Sequence, residues 1–385
     1  MGYQAILRHA QGVRGLTALA SLLLASLILS ACVGPTTQRA DLDPDAVARE
    51  AAKQRELALH DRMAQAARLD DVGFAVLTRA VPLCGEDVAP FLGIRVHNKY
   101  SYEKDWQTTA RALFGTGERL RLSHVTAGSP AAAAGLKTGD IIHGIDGVEL
   151  RGKHASDTLL RAISKHLSDG PTVINLRIAG PDGSQRTVSL APVLACNYGL
   201  HLALDNSINA YADGENIVLH TGMMNFARND TELATVVAHE LAHNAMGHMD
   251  ALTANAAGGL VLDVLALLVG VNTQGAFSKI ASQAYSVEFE AEADYVGVYA
   301  LALAGMDINR SPDLWRRMAV RNPGAIDYTT SHPTAPARFI GMEEAVAEVQ
   351  RKIAAGDALR PEIRTSTAAD PGPDGGNPYR STRDN

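Results

Sequence analysis

The sequence predicts an α+β chain, a mostly helical body with a small sheet, into which a separate β-rich domain is inserted. Three observations predict it. Apolar Leu233, Val236, Val237, Leu241 and Ala245 recur at three- and four-residue steps, the period of an amphipathic helix running from Asp230 to Asp250. A second strongly helical stretch carries the acidic run 288–294 and continues as an apolar helix from Tyr295 to Leu303, where Gly305 breaks it. Between Cys84 and Cys196 the character changes to short apolar runs separated by glycine turns. A length of 385 residues, with 46% hydrophobic and 20% charged, suits a folded protein of two or so domains.

At the N-terminus, Arg8 and Arg14 precede an apolar run from Leu16 to Leu29. The run is too short and too rich in small residues for a permanent membrane span, so residues 1–31 read as an export signal. It ends in Leu29-Ser30-Ala31-Cys32, which resembles the bacterial lipoprotein processing site. The resemblance implies cleavage before Cys32 and a lipid on that cysteine, tethering the remainder to a membrane. A plain signal with an incidental cysteine is the alternative. Val33 rather than an aspartate after the cysteine favours, by analogy with lipoprotein sorting in a Gram-negative host, the outer membrane with the body facing the periplasm. The net charge is −7, and without Arg8 and Arg14 it becomes −9, with 33 basic against 42 acidic side chains. That balance argues against a nucleic-acid partner.

Residues 32–43 form a polar tether, and residues 44–83 begin with an alanine-rich, charged helical pattern. Leu57, Leu59, Met63, Ala67 and Leu69 give this helix a partly regular apolar stripe, enough to pack it on the body. Residues 84–196 are the insert. Gly128-Ser129-Pro130 and Gly135 to Ile142 precede Ile145-Asp146-Gly147, a pattern similar to bacterial PDZ domains. Phe91-Leu92-Gly93-Ile94 resembles the PDZ carboxylate-binding loop, and 156–167 reads as the helix beside the groove. Strands 173–178 and 186–190 make a hairpin around Pro181-Asp182-Gly183. The resemblance implies capture of an extended peptide on a sheet edge; a spacer with a covered groove is the alternative. Cys84 and Cys196 stand where the insert leaves and rejoins its host. An even pair in an exported protein suggests a disulfide there, two buried thiols being the alternative.

Residues 197–360 carry the chemistry. Ile217-Val218-Leu219 predicts a strand, either an edge that offers its backbone to a partner or a buried central one. The following helix, capped by Asn229 or Asp230, contains His239-Glu240-Leu241-Ala242-His243. Residues four apart lie one turn above each other, so both imidazoles can converge on one metal ion, with Glu240 placed to take a proton from an attacking water. A catalytic zinc needs a third protein ligand, and the acidic run offers it. Glu290 and Asp294 are one turn apart, so one can bind metal while the other holds a ligand histidine; Glu288, Glu292 or a solvated acidic face are the alternatives. His248, five residues beyond His243, points away from the pair on a continuous helix and reads as structural, as do His201 and His220. The apolar stretch 256–271 contains Asp263 and is too short to span a bilayer, so it reads as a buried helix, a surface element that dips into the lipid interface or shields the cleft being the alternative.

These motifs, with Asn209-Ala210-Tyr211-Ala212 and Thr221-Gly222-Met223-Met224 before them and Ser331-His332-Pro333 and Arg338 after, resemble the gluzincin peptidases that include HtpX, BepA, Oma and the CAAX prenyl proteases. The resemblance covers roughly 206–344. It implies one Zn2+ per chain held by His239, His243 and Glu290, with Glu240 as general base and Asp294 orienting a histidine. It also places His332 near the metal, as an oxyanion stabiliser or as a latch on the open position, a packing role being the alternative. Arg338 is expected to pair with an acidic group. Trp315 and Met318 should anchor a further helix, and residues 361–385, rich in Pro, Gly and Asp, should be disordered. The expectation is a lipid-anchored zinc endopeptidase of the bacterial envelope acting on misfolded or misassembled polypeptides. Its competitor is a peptide-binding or chaperone-like factor with a latent zinc site. A membrane-embedded prenyl-protein protease is disfavoured, since no long apolar span follows the signal.

Overall fold

The computed structural model describes residues 37, 40–168, 173–254, 276–321 and 336–362. Cys32 and the signal, the stretch 256–271, His332 and most of the expected tail lie outside the described residues. The chain divides into two compact units, Met1–Lys53 and Gln54–Asn385. Among the described residues no helix is long and apolar enough to cross a membrane.

Within the second unit two separate apolar cores account for the α+β architecture. The larger one joins Leu69, Val72, Val76 and Leu77 of the long helix Pro44–Arg79 to Ile217, Leu219, Val236, Val237, Val296, Tyr299, Trp315 and Val346. The smaller one, with Leu120, Leu122, Ile142, Ile145, Leu176 and Ile178 at its centre, belongs to the insert. Helix Pro44–Arg79 runs ten residues beyond the apolar stripe read from the sequence, because Val72, Val76 and Leu77 continue to bury one face.

The insert is an antiparallel sheet ordered Ile94–His97, Leu120–Val125, Ile141–Ile145, Ile174–Ala179, Gln185–Leu190, with Val148–Glu149 paired to the third strand. Helix Ala155–Ser168 packs beside it, and Ile94–His97 is an edge strand. Strands Val88–Phe91 and Val193–Cys196 pair antiparallel at the neck. There Cys84 and Cys196 are joined as a disulfide, both inside the larger core, closing a loop of 112 residues. Closure of a loop near that length lowers the entropy of the unfolded chain by the equivalent of about 4–5 kcal/mol.

A third cluster, Leu59, Tyr102 and Ala110 with Trp106, Leu113 and Phe114, ties the insert to the long helix. His97 is buried in it, its ring against Tyr102 and Phe114 and its Nδ1 2.6 Å from the Tyr102 hydroxyl. Burial, with the nearby Arg121 charge, pushes its pKa down to about 4. A lowered histidine pKa has no effect on stability above the unfolded value near 6.5. As pH falls from there toward 4, the unfolded chain takes a proton that the folded chain refuses, so stability falls. The expected loss between pH 7 and pH 5 is about 2 kcal/mol. Urea unfolding of the parent and His97→Phe at both pH values checks this: the variant should show a smaller difference, and equal differences would refute the assignment.

The second small sheet lies in the body, ordered Ala210–Ala212, Asn216–His220, Gly199–Ala203. Strand Asn216–His220 pairs on both sides, antiparallel with the first and parallel with the last, so Ile217–Leu219 is central and buried rather than an edge.

Candidate metal centre

The histidine helix runs Asp230–Ala245, with Asn229 as its N-cap: the Glu232 amide donates to its side chain at 2.9 Å. Glu232 in turn accepts from the Arg228 amide at 2.7 Å and pairs with Arg317, which lies over Phe226. The helix is buried on every face from Glu232 to Asn244, not half-exposed as an amphipathic reading expects. Its polar residues survive burial because they have internal partners. Asn244 donates to the Asn216 carbonyl and accepts from the Gly214 amide, fastening the helix to the central strand. The helix packs on Ala276–Leu303, where Gly297 lets the backbones approach: a Cβ there would lie 3.4 Å from His239 Cα.

This crossing brings Glu290 and Asp294 to the histidines. Among the described residues, His239, His243 and Glu290 are the group able to hold a metal, all three buried, with ligand atoms within 4.8 Å of one another. The two histidine Nε2 atoms are 3.2 Å apart, and they stand 3.4 Å and 3.3 Å from the Glu290 oxygens. Donors at about 2.0–2.1 Å from a tetrahedral zinc lie roughly 3.3–3.4 Å from one another, so this set fits zinc in both chemistry and spacing. Glu288 is exposed on the same helix and Glu292 pairs elsewhere, with His248.

Behind the ligands, Asp294 Oδ1 lies 3.0 Å from His239 Nδ1. Arg338, from the helix Pro336–Ala355, grips Asp294 through Nε at 2.6 Å and Nη2 at 2.8 Å and reaches Glu290 Oε2 through Nη1 at 2.9 Å. The acidic partner that sequence reading left unnamed is thus Asp294, with Glu290 beside it. Trp315, on helix Ser311–Arg321, lies against both the His239 ring and the guanidinium. Burial pushes the Asp294 carboxyl up, but the Arg338 charge and the His239 bond outweigh it and hold it below the usual range. Burial likewise lowers His239, yet Asp294 and Glu290 outweigh it and hold the ring up at about 10 without metal. Burial leaves His243 below its ordinary value. Glu240 is fully buried next to His239, and its charge acts on both His243 and Arg338.

His248 departs from its sequence reading. The helix ends at Ala245, and Gly247 at φ +67° turns the chain, so His248 folds back onto His243. In the insert, Phe91 ends one strand and Ile94 begins the edge strand. Between them Leu92 is buried and Gly93 sits at φ +74°, with the Leu92 and Gly93 carbonyls accepting from the Ala131 and Thr126 amides.

Comparison with known proteins places two families on this geometry. Residues 192–346 match the family described as Peptidase family M48, and residues 90–189 match the PDZ domain. A putative beta-barrel assembly-enhancing protease of Vibrio cholerae is 33% identical over 149 residues, 35% of this chain and 31% of that protein. The mitochondrial metalloendopeptidase OMA1 of Arabidopsis thaliana is 34% identical over 152 residues, covering 36% and 30%. That of Schizosaccharomyces pombe is 27% identical over 177 residues, covering 44% and 52%. The chain thus spans about a third of the length of the first two relatives. The HtrA3 PDZ domain bound to a phage-derived ligand aligns at 22% identity and a TM-score of 0.21, over 28% of this chain and 88% of that one.

Proposed function

We propose, on the premise that residues 192–346 form an M48-type peptidase domain and residues 90–189 a PDZ domain, that this chain is a zinc-dependent endopeptidase of the bacterial envelope. The observation that carries this reading is the buried His239, His243, Glu290 cluster with Glu240 alongside, since a purely structural zinc site has no use for a general base. His239, His243 and Glu290 would hold the zinc ion, which when bound would supply Lewis acidity toward a water and the scissile carbonyl. Glu240 takes the proton of the attacking water and passes it to the leaving amine. Asp294 keeps the His239 proton on Nδ1, so that Nε2 offers its lone pair to the cluster. Arg338 balances the two buried carboxylates.

An extended substrate adds to Ala210–Ala212, the outer strand beside the histidine helix, where Tyr211 is 42% exposed. In the insert, the turn Phe91-Leu92-Gly93-Ile94 receives a terminal carboxylate on its amides, and the edge strand Ile94–His97 receives the peptide backbone. Both modes require exposed chain, which makes misfolded or misassembled envelope proteins the substrate class. The relatives named as beta-barrel assembly-enhancing proteases support that class. The lipid anchor on Cys32 and the outer-membrane, periplasm-facing placement belong to the same proposal, as does a role for His332 at the metal.

Cleavage of a reduced, alkylated protein by residues 33–385 tests the reading. A chelator should stop cleavage and zinc should restore it. Cleavage indifferent to the chelator would refute the metal dependence, and none with zinc supplied would favour a peptide-binding factor.

A further inference from the structure

Beyond the ligands and the Asp294–Arg338 support, a second polar chain stands behind the other histidine. His243 presents Nε2 to Glu290 and turns Nδ1 to His248, whose Nδ1 is 3.0 Å away. The other nitrogen of His248 lies 2.9 Å from Glu292 Oε2, and its ring stacks on Phe289 at 4.5 Å and 18°. His248 is 1% exposed, while Glu292 sits at the surface with its side chain 41% exposed.

The hydrogen bonding in this chain has one consistent direction. A neutral histidine that offers Nε2 to a metal carries its proton on Nδ1. The His243 Nδ1–H then donates to His248 Nδ1, which must therefore be the unprotonated nitrogen of that ring. His248 accordingly carries its proton on Nε2, and the acceptor there is the Glu292 carboxylate. Reversing any one bond would set a proton against a proton or take His243 Nε2 out of the cluster.

We propose that His248 is a positioning residue for the metal centre, fixing the tautomer and ring angle of His243, and that Glu292 fixes His248 in turn. The two histidine ligands are thus each held from behind, His239 by Asp294 with Arg338 and His243 by His248 with Glu292. This rests on His239, His243 and Glu290 being the ligands, which the parent's own zinc binding tests separately. A packing role alone would need only an aromatic ring against Phe289.

The experiment is zinc affinity of the full chain by competition with a chromophoric chelator, for the parent, His248→Phe, His248→Asn and Glu292→Leu. Phenylalanine keeps the ring and the stack but has no acceptor. Asparagine loses the stack but puts Oδ1 where Nδ1 stood. The expected result is a loss of roughly 10–100-fold for His248→Phe, with His248→Asn recovering much of it. Glu292→Leu, at a surface position that does not threaten folding, should weaken zinc in the same direction. In the parent, ring 15N shifts should report His248 protonated on Nε2. Parent-like affinity in His248→Phe, or equal losses in the Phe and Asn variants, would overturn the proposal. A parent that binds no zinc would overturn the ligand assignment and this inference with it.

Discussion

Replacing Glu240 by glutamine is expected to reduce turnover of an unfolded substrate by about 10²–10⁴-fold, the contribution of a well-placed general base. Glutamine keeps the volume of this fully buried side chain, so the packing of the histidine helix should survive. It cannot take a proton from water, and it is not among the three groups that meet at the cluster. Zinc content should therefore stay at the parent's level while kcat falls. Metal analysis and kinetics on one preparation separate the two effects. A Glu240→Gln protein that turns over at the parent's rate would mean that another group is the base.

The second large effect concerns Arg338. Its guanidinium holds Asp294 with two bonds and Glu290 with a third, and all three side chains are at most 5% exposed. Arg338→Met fills similar space but leaves two buried carboxylates without their cation. Breaking a buried pair in this way costs about 3–5 kcal/mol. An exposed pair such as Arg310–Asp313 is worth less than about 1 kcal/mol. Arg338→Lys should recover little, because an ammonium cannot reproduce the two parallel bonds to Asp294. Denaturant unfolding of metal-free protein checks this, and a metal-free Arg338→Met as stable as the parent would show the clamp to be dispensable. Zinc affinity should fall in step, since Asp294 would no longer be held against His239.

The centre was legible in the sequence where the helical period alone fixes geometry. A four-residue spacing puts His239 above His243 and Glu290 above Asp294 whatever the surroundings. The neck and the insert were legible for a similar reason: two cysteines flank a stretch whose glycine turns and alternating strands contrast with helical sequence on either side. What was lost depended on contacts distant in sequence. Arg338 meets Asp294 across 44 residues, and no local pattern names that partner. Strand Asn216–His220 is central because Gly199–Ala203 and Ala210–Ala212 flank it, two short strands with no alternation strong enough to announce them. The histidine helix was expected to be amphipathic, yet it is enclosed by strands Ala210–Ala212 and Asn216–His220 on its N-terminal side in the chain and by helices Ala276–Leu303 and Ser311–Arg321 on its C-terminal side.

His248 is the more instructive case, because its signal was present. Extending the helix to Asp250 turned this residue away from the metal. Gly247, a residue suited to a left-handed turn after a helix end, marks where that extension fails. Reading the glycine as a stop would have freed His248 to fold back on His243. The cluster around His97 and Tyr102 had no comparable signal, since it forms only when the long helix lies against the insert.

The proposed activity stands on His239, His243 and Glu290 holding one metal ion on which peptide-bond cleavage depends. Its most direct test is to strip the protein with a chelator, remove the chelator, and titrate zinc back while following cleavage of an unfolded protein. The expected result is no cleavage in the stripped protein and a rise that ends at one zinc per chain. Cleavage that persists without metal, or a protein saturated with zinc that cleaves nothing, would contradict it.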